Sequence, residues 1–406
     1  MQTQTTRYRF VIAGLLLLLN FSLGLNVFGI APVLSTVIDD LGVGRGAAGF
    51  LTGASLAVMA AASIPGAYLI GRFGLKRTVT LGWLLSGTMV LAPLADSYGA
   101  LFALRVALGL SHAVLLPASG ALVMQWFKLS QVAMVTGAML ATMTGGLALS
   151  LFTTALLADA LGWQSALAVQ GGVCLAGALA WLVAGRTSEG GKGADPQPIF
   201  KQIRQALLAK TTWLIVLADA GPFAQYVALT AWLPTFYHQE LGMSLPKAGF
   251  ITGLLPFVGI FAVLAGGVLP AKLGGRRPFL VTLGFMACLS GFGAFLFSDG
   301  LLLYLAIIAL GIASWAYLPV LMTLPMELPD ASPERVAMVW AVLATAGGII
   351  SFISPFAVGV MTDALGTYTP GFTVWAVLAL SLVVAGLALP EAGARRTVRG
   401  PASEAA

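Results

Sequence analysis

The chain has 406 residues, of which 59% are hydrophobic and only 9% are Asp, Glu, Lys or Arg, with a formal net charge of +6. A soluble domain holds about a quarter charged residues, so this composition excludes water as the chain's main solvent and indicates a lipid bilayer. The basic excess then reflects membrane topology rather than a nucleic-acid partner, and two cysteines inside apolar runs, Cys174 and Cys288, imply no disulfide framework.

A membrane span needs roughly 20 mostly apolar residues, because lipid cannot satisfy bare backbone N–H and C=O groups. That criterion predicts an all-α membrane protein of twelve helices, over 10–37, 46–71, 76–95, 99–126, 131–158, 163–185, 211–238, 246–272, 278–297, 300–326, 334–361 and 370–389. Arg7 and Arg9 precede an apolar run longer than the core of a signal peptide, so the first segment is expected to stay as a helix. With both termini in the cytoplasm, 18 of the 21 Lys and Arg residues fall on cytoplasmic segments, the exceptions being Arg45, Arg105 and Lys247. Positive charge on the inner side is the pattern of a multi-pass protein of the cell (inner) membrane.

The first helix holds Asn20 and Asn26 in an otherwise apolar setting. Either both bond across helices as packing glue, or Asn26, near mid-depth, faces a polar cavity and touches substrate.

After the second helix comes Ala67-Tyr68-Leu69-Ile70-Gly71-Arg72-Phe73-Gly74-Leu75-Lys76-Arg77, and it has an echo at Gly267-Val268-Leu269-Pro270-Ala271-Lys272-Leu273-Gly274-Gly275-Arg276-Arg277. Ala158-Asp159-Ala160-Leu161-Gly162 likewise recurs as Thr362-Asp363-Ala364-Leu365-Gly366, and Leu140-Ala141-Thr142 with Gly145-Gly146 as Leu343-Ala344-Thr345 with Gly347-Gly348. Duplication at so long a period means two homologous halves, the usual construction of a secondary transporter.

The basic loop resembles the signature loop of the major facilitator superfamily, Gly-x-Leu-x-Asp-Arg-x-Gly-Arg-Arg. Leu69, Arg72, Gly74, Lys76 and Arg77 match it in the first half, and Leu269, Lys272, Gly274, Arg276 and Arg277 in the second. The motif's acid is replaced by Gly71 and Ala271, which puts in question the family's charge relay between that acid and a neighbouring helix end. Positive-inside anchoring alone is the plainer role for these cations. The resemblance implies two pseudo-symmetric six-helix bundles that rock around a midplane cavity lined by helices one, four, seven and ten.

The fourth helix carries Arg105, about seven residues or roughly 10 Å below the outer surface. A central Arg costs something like 2.5–3.5 kcal/mol on insertion scales and normally faces protein or water on a pathway. Gly109 and His112 follow at i+4 and i+7 on the same stripe. Leu104-Arg105-Val106-Ala107-Leu108-Gly109, with Pro117-Ala118 and Trp126-Phe127, resembles the superfamily's fourth-helix motif, in the form found in anion-transporting branches. Their acid linked to proton coupling is His112 here, a residue that titrates near neutrality and suits either substrate binding or proton relay. A structural Arg105 bonded to helix ends and a merely satisfied His112 are the alternatives.

Residues 186–210 read as a cytoplasmic linker ending in a short interfacial amphipathic helix, between halves spanning 1–185 and 211–389, and 390–406 as a disordered cytoplasmic tail. In the seventh helix, Asp219 is a candidate for proton coupling, and the following Gly221-Pro222 predicts a bend. Gln225, Tyr226 and, on the tenth helix, Ser314 and Trp315 are the remaining candidate substrate contacts. Trp232-Leu233-Pro234 resembles a signature of the anion-handling branches and of the cyanate permease group.

Neither a P-loop nor a metal-ligand cluster nor a Gly-x-Ser-x-Gly elbow is present in the sequence, so no enzyme activity, cofactor or metal is expected. The expected function is secondary transport of a small organic or inorganic anion, coupled to protons through His112 or Asp219, by a monomer in the bilayer. Export of hydrophobic or cationic compounds with Asp219 as acceptor is the rival within transport. A non-transporting sensor or scaffold of the same fold is the rival outside it.

Overall fold

The computed structural model describes residues 7–187, 207–272, 275–327 and 333–389. Among these the chain is helical throughout, and the predicted spans are found as α1 (Tyr8–Val27, resumed over Leu34–Leu41), α2 (Arg45–Phe73), α3 (Leu75–Gly87), α4 (Tyr98–Trp126), α5 (Leu129–Leu161) and α6 (Trp163–Ala184) in the first half. The second half has α7 (Lys210–Gln239), α8 (Leu245–Lys272), α9 (Arg276–Leu296), α10 (Leu301–Ala316, resumed over Leu318–Thr323), α11 (Pro333–Leu365) and α12 (Thr369–Leu378, resumed over Ser381–Ala388). Eleven of the spans are long and apolar enough to cross a bilayer as runs of helix. The twelfth, α3, reaches its length by tightening into a 3-10 helix over Thr88–Leu94 around Pro93. The interfacial helix expected within 186–210, the tail and Gly274 lie outside the described residues, in whole or in large part.

The first and seventh spans differ from expectation in opposite ways. The single helix predicted over 10–37 stops at Val27 and restarts through a 3-10 turn at Ala31–Val33, because Pro32 lacks an N–H and its ring crowds the carbonyl four residues back. The bend expected at Gly221-Pro222 is not a break: α7 runs unbroken through Pro222 and Pro234. There the Gly221 N–H donates to Ser381 Oγ of α12 at 3.2 Å. The tenth span breaks instead at Tyr317, two residues before Pro319.

Loop geometry explains two of the sequence repeats. Gly74 between α2 and α3 has φ +78°, a conformation open to glycine at no steric cost, which fits the signature loop's tight turn. The repeated Asp-Ala-Leu-Gly ends α5 and α11 alike, with Gly162 at φ +83° and Gly366 at φ +74°.

Tyr8 donates to the Ala184 carbonyl at 2.6 Å and Trp181 to the Lys76 carbonyl at 3.2 Å, fixing one face of the first half, on which the chain's described ends lie. The two halves meet on the opposite, far face along α2–α11 and α5–α8. Gly49 and Gly53 of α2 abut the backbone of Pro355 and Phe352 on α11, and Gly249 and Gly253 of α8 abut Leu151 and Phe152 on α5. Small residues four apart let helix backbones approach closely where lipid supplies no hydrophobic drive. Both pairs belong to one repeat, Ala48-Gly49-Phe50-Leu51-Thr52-Gly53 and Ala248-Gly249-Phe250-Ile251-Thr252-Gly253.

Candidate functional site

Arg105 is 1% exposed. Its Nε donates to the Leu51 carbonyl at 3.3 Å and Nη1 to the Asn26 carbonyl at 3.1 Å. Nη2 lies 2.9 Å from the Val27 carbonyl, 3.1 Å from that of Thr52 and 3.0 Å from Ser55 Oγ. The carbonyls of Asn26 and Val27 belong to the last turn of α1, which has no further helical N–H to accept because the helix stops there. Arg105 therefore caps the break in α1 and ties it to α2. The passage-facing orientation expected of it is not the one adopted in this conformation. Gly109, on the same stripe, packs onto the Ser55 carbonyl and Val58, bringing α4 against α2.

His112 turns from that stripe toward α1. Its Nδ1 lies 2.8 Å from the Leu108 carbonyl one turn back, and its Nε2 lies 3.4 Å from the Leu23 carbonyl. Both ring nitrogens thus face carbonyl oxygens, and whichever of them carries the proton donates to one. Asn26 and Gln225 each point into their own half. Asn26 Nδ2 donates to the Ser22 carbonyl and to Cys174 Sγ on α6, and Gln225 Nε2 donates to the Ala287 carbonyl on α9 at 3.0 Å. Each is thus tied within its own half through its amide nitrogen, while Asn26 Oδ1 and Gln225 Oε1 are buried without a hydrogen-bond partner among the described residues.

In the second half the remaining candidates gather. Asp219 on α7 is 6% exposed and accepts a 2.9 Å hydrogen bond at Oδ1 from Tyr317, the residue at which α10 breaks. Lys247–Asp299, 2.9 Å apart on the far face, is an ion pair, and Asp219 takes part in none among the described residues. Further along α7, the Tyr226 ring meets Trp315 of α10 edge to face with centroids 5.3 Å apart. It meets Phe28, in the α1 break of the other half, at 6.2 Å. The Tyr226 hydroxyl, Thr230 Oγ1, Ser314 Oγ and Trp315 Nε1 are all buried without a hydrogen-bond partner of good geometry. Buried polar groups are normally paired, and each one left alone costs about 1–3 kcal/mol. Four on neighbouring turns of α7 and α10 form a ready-made set of donors and acceptors.

Of the signature-loop cations, Arg72, Lys76, Arg77 and Lys272 are exposed. Arg277, exposed as well, donates to the Leu389 carbonyl at 3.4 Å, while Arg276 is half-buried. Thr230, on the α7 face of Asp219 and Tyr226, and Tyr317, beside Trp315 on α10, stand out only weakly in the sequence, since an aromatic residue or a threonine on an apolar helix is most often packing. Asp219, seven positions before Tyr226, and Thr230, four after it, are the available signal.

The family model of the Major Facilitator Superfamily matches residues 16–332. An uncharacterized protein of Campylobacter jejuni is 27% identical over 201 residues, 49% of this chain and 62% of that protein, so the chain spans less than two thirds of its length. A D-galactonate transporter of Escherichia coli is 26% identical over 371 residues, covering 81% of this chain and 83% of its own length. An MFS-type efflux pump of Mycolicibacterium smegmatis is 30% identical over 311 residues, covering 73% and 70%. Among solved structures, a bacterial homolog to the human lysosomal transporter Spinster shares the fold, with a TM-score of 0.79 at 18% identity over 94% of this chain and 96% of that chain.

Proposed function

Because the chain belongs to the Major Facilitator Superfamily, we propose that it is a secondary transporter that carries a small, hydroxyl-bearing organic anion by alternating access between its two halves. The observation that carries this reading is the cluster of buried polar atoms on Tyr226, Thr230, Ser314 and Trp315, which have no hydrogen-bond partner of good geometry among the described residues, are flanked by aromatic faces and touch the other half through Phe28. Hydroxyls of a polyhydroxy acid match such a set, the aromatic rings supply the apolar floor common in small-molecule sites, and the name of the Escherichia coli relative points the same way.

The positive charge for the substrate's carboxylate is Arg105. Among the described residues no carboxylate pairs with it, and two of its carbonyl partners, Asn26 and Val27, lead directly into Phe28. In this conformation it acts on the site through that turn, and direct contact requires the turn to move. His112 or Asp219 takes the coupling proton, both termini lie in the cytoplasm of a cell-membrane protein, as the distribution of Lys and Arg supports, and the working unit is the monomer.

In proteoliposomes loaded with D-galactonate or a related sugar acid, the protein should show counterflow of the labelled acid. Tyr226→Phe combined with Ser314→Ala should slow it at least about tenfold, the equivalent of 1.4 kcal/mol of lost binding. Normal counterflow by the double variant would remove the site.

A second reading, export of cationic or hydrophobic compounds, is supported by Asp219, a buried carboxyl that accepts a hydrogen bond from Tyr317 and pairs with no cation among the described residues, and by the efflux pump among the relatives. Under it, Asp219→Asn abolishes export while sugar acids give no counterflow.

A further inference from the structure

Arg45 is one of three cations that break the charge rule, and its surroundings give it a task. It is the first residue of α2, in the first half, and everything it binds at the far face comes from the second half. The Arg45 N–H donates to Asp363 Oδ1 at 3.0 Å and the Gly46 N–H to Asp363 Oδ2 at 2.7 Å, so the carboxylate at the end of α11 caps the start of α2. The Arg45 side chain reaches further: Nε donates to the Tyr368 hydroxyl at 2.9 Å and Nη2 to Gln239 Oε1 at 3.3 Å. Tyr368 in turn donates to the same Gln239 oxygen at 3.1 Å. Burial raises the Tyr368 hydroxyl above its usual value, so it stays protonated and keeps that donor. Its ring is anchored against Trp232 and Phe372 of the second half.

We propose that Asp363, Tyr368 and Gln239 form a latch that holds the start of α2 and thereby sets how much of the protein rests with its far face closed. No side chain within α2 performs this capping: its N-cap is Gly44, which has no side chain to offer, and its first turn holds no acid. Opening the far face therefore strips α2 of a cap that its own sequence does not replace, leaving N–H groups that favour a negative partner. The repeat shows why the latch exists once. The position of Gly46 in the second half is Pro246, which has no N–H to give, so Asp159 cannot cap α8 as Asp363 caps α2.

The glycines beneath the latch make it a switch rather than an ornament. Gly49 and Gly53 on α2, and Gly359 on α11 against the Arg45 backbone, allow a contact close enough for a carboxylate to reach two consecutive amides. Once the helices part, every one of these bonds is lost together. The proposal concerns the conformational equilibrium alone and stands whichever substrate is carried.

The test is a distance measurement between spin labels at Asp39→Cys and Ala364→Cys, exposed far-face positions in opposite halves, with both native cysteines buried. Asp363→Ala should enlarge the population with the far face open about two- to thirty-fold, the range expected for loss of a helix cap. Arg45→Gln, which keeps the carboxylate cap but removes the guanidinium, should shift it in the same direction by less. Lys247→Ala breaks an ion pair within the second half on the same face and should leave the distances unchanged. Well-folded Asp363→Ala or Arg45→Gln protein with the unaltered distance distribution overturns the proposal, as does an equal shift in Lys247→Ala.

Discussion

The guanidinium of Arg105 sits 2.9 Å from the carbonyl of Val27, the last residue of the first arm of α1. A cation sunk in the hydrocarbon layer here finishes a helix end that proline has forced open. Hydrogen bonds to charged groups contribute about 1.5–3 kcal/mol each, and Arg105 links two helices with several. Arg105→Gln should therefore lower the melting temperature of the detergent-solubilised protein by several degrees. Arg105→Lys should recover little, since an ammonium has no fork with which to hold both α1 and α2. A melting temperature unchanged by Arg105→Gln would mean that these bonds contribute nothing to the fold.

Tyr226 offers the opposite case. Its hydroxyl lies near Thr230 and Trp315 but is buried without a hydrogen-bond partner of good geometry among the described residues, so Tyr226→Phe should leave the empty protein about as stable as before. The same change should weaken substrate binding. Stability lost together with binding would show that the hydroxyl is satisfied in the resting protein.

At the contacts between the halves, Gly49 and Gly249 occupy matching places in the repeat, each against a carbonyl of the opposite half. A methyl group at either has no room unless the helices separate. Gly49→Ala and Gly249→Ala should each favour the state with the far face open, read as faster modification of a cysteine introduced on that face. Protection equal to wild type would contradict the packing argument.

Asp219 and Tyr317 join α7 to the break in α10. A carboxylate accepts that bond and a carboxylic acid need not, so a proton arriving at Asp219 alters the tie between two helices that flank the site. Asp219→Asn should keep exchange of substrate across the membrane but lose its response to an imposed pH gradient. Tyr317→Phe should shift the pH at which transport is half-maximal while leaving the direction of coupling intact. Gradient-driven uptake by Asp219→Asn at the normal rate would assign the proton elsewhere, with His112 the remaining candidate.

The architecture was open to reading because lipid imposes one rule on every span. Twelve apolar runs follow from backbone satisfaction, and the duplicated loops and helix-ending glycines stand in the letters themselves, so none of these needs knowledge of neighbours. The direction in which a side chain points was less accessible. Arg105, Gly109 and His112 share a stripe by spacing, yet Gly109 meets α2, His112 meets α1 and Arg105 bonds to both, since two helices contact the same stripe. Asn26 and Gln225 lay at the right depth, but depth does not distinguish the inside of one bundle from the space between two. The repeat around Gly49 and Gly249 was visible in the letters. Its role was not, because small residues four apart are common in membrane helices and only the partner helix gives them meaning.

The most direct measurement is ligand-dependent thermal stabilisation of the purified protein across sugar acids, simple inorganic anions and cationic dyes, in wild type and in Tyr226→Phe with Ser314→Ala. The account predicts that a sugar acid raises the wild-type melting temperature and that the double variant, equally stable when empty, loses that rise. Stabilisation by cationic dyes with none by sugar acids, or an undiminished sugar-acid shift in the double variant, would contradict it.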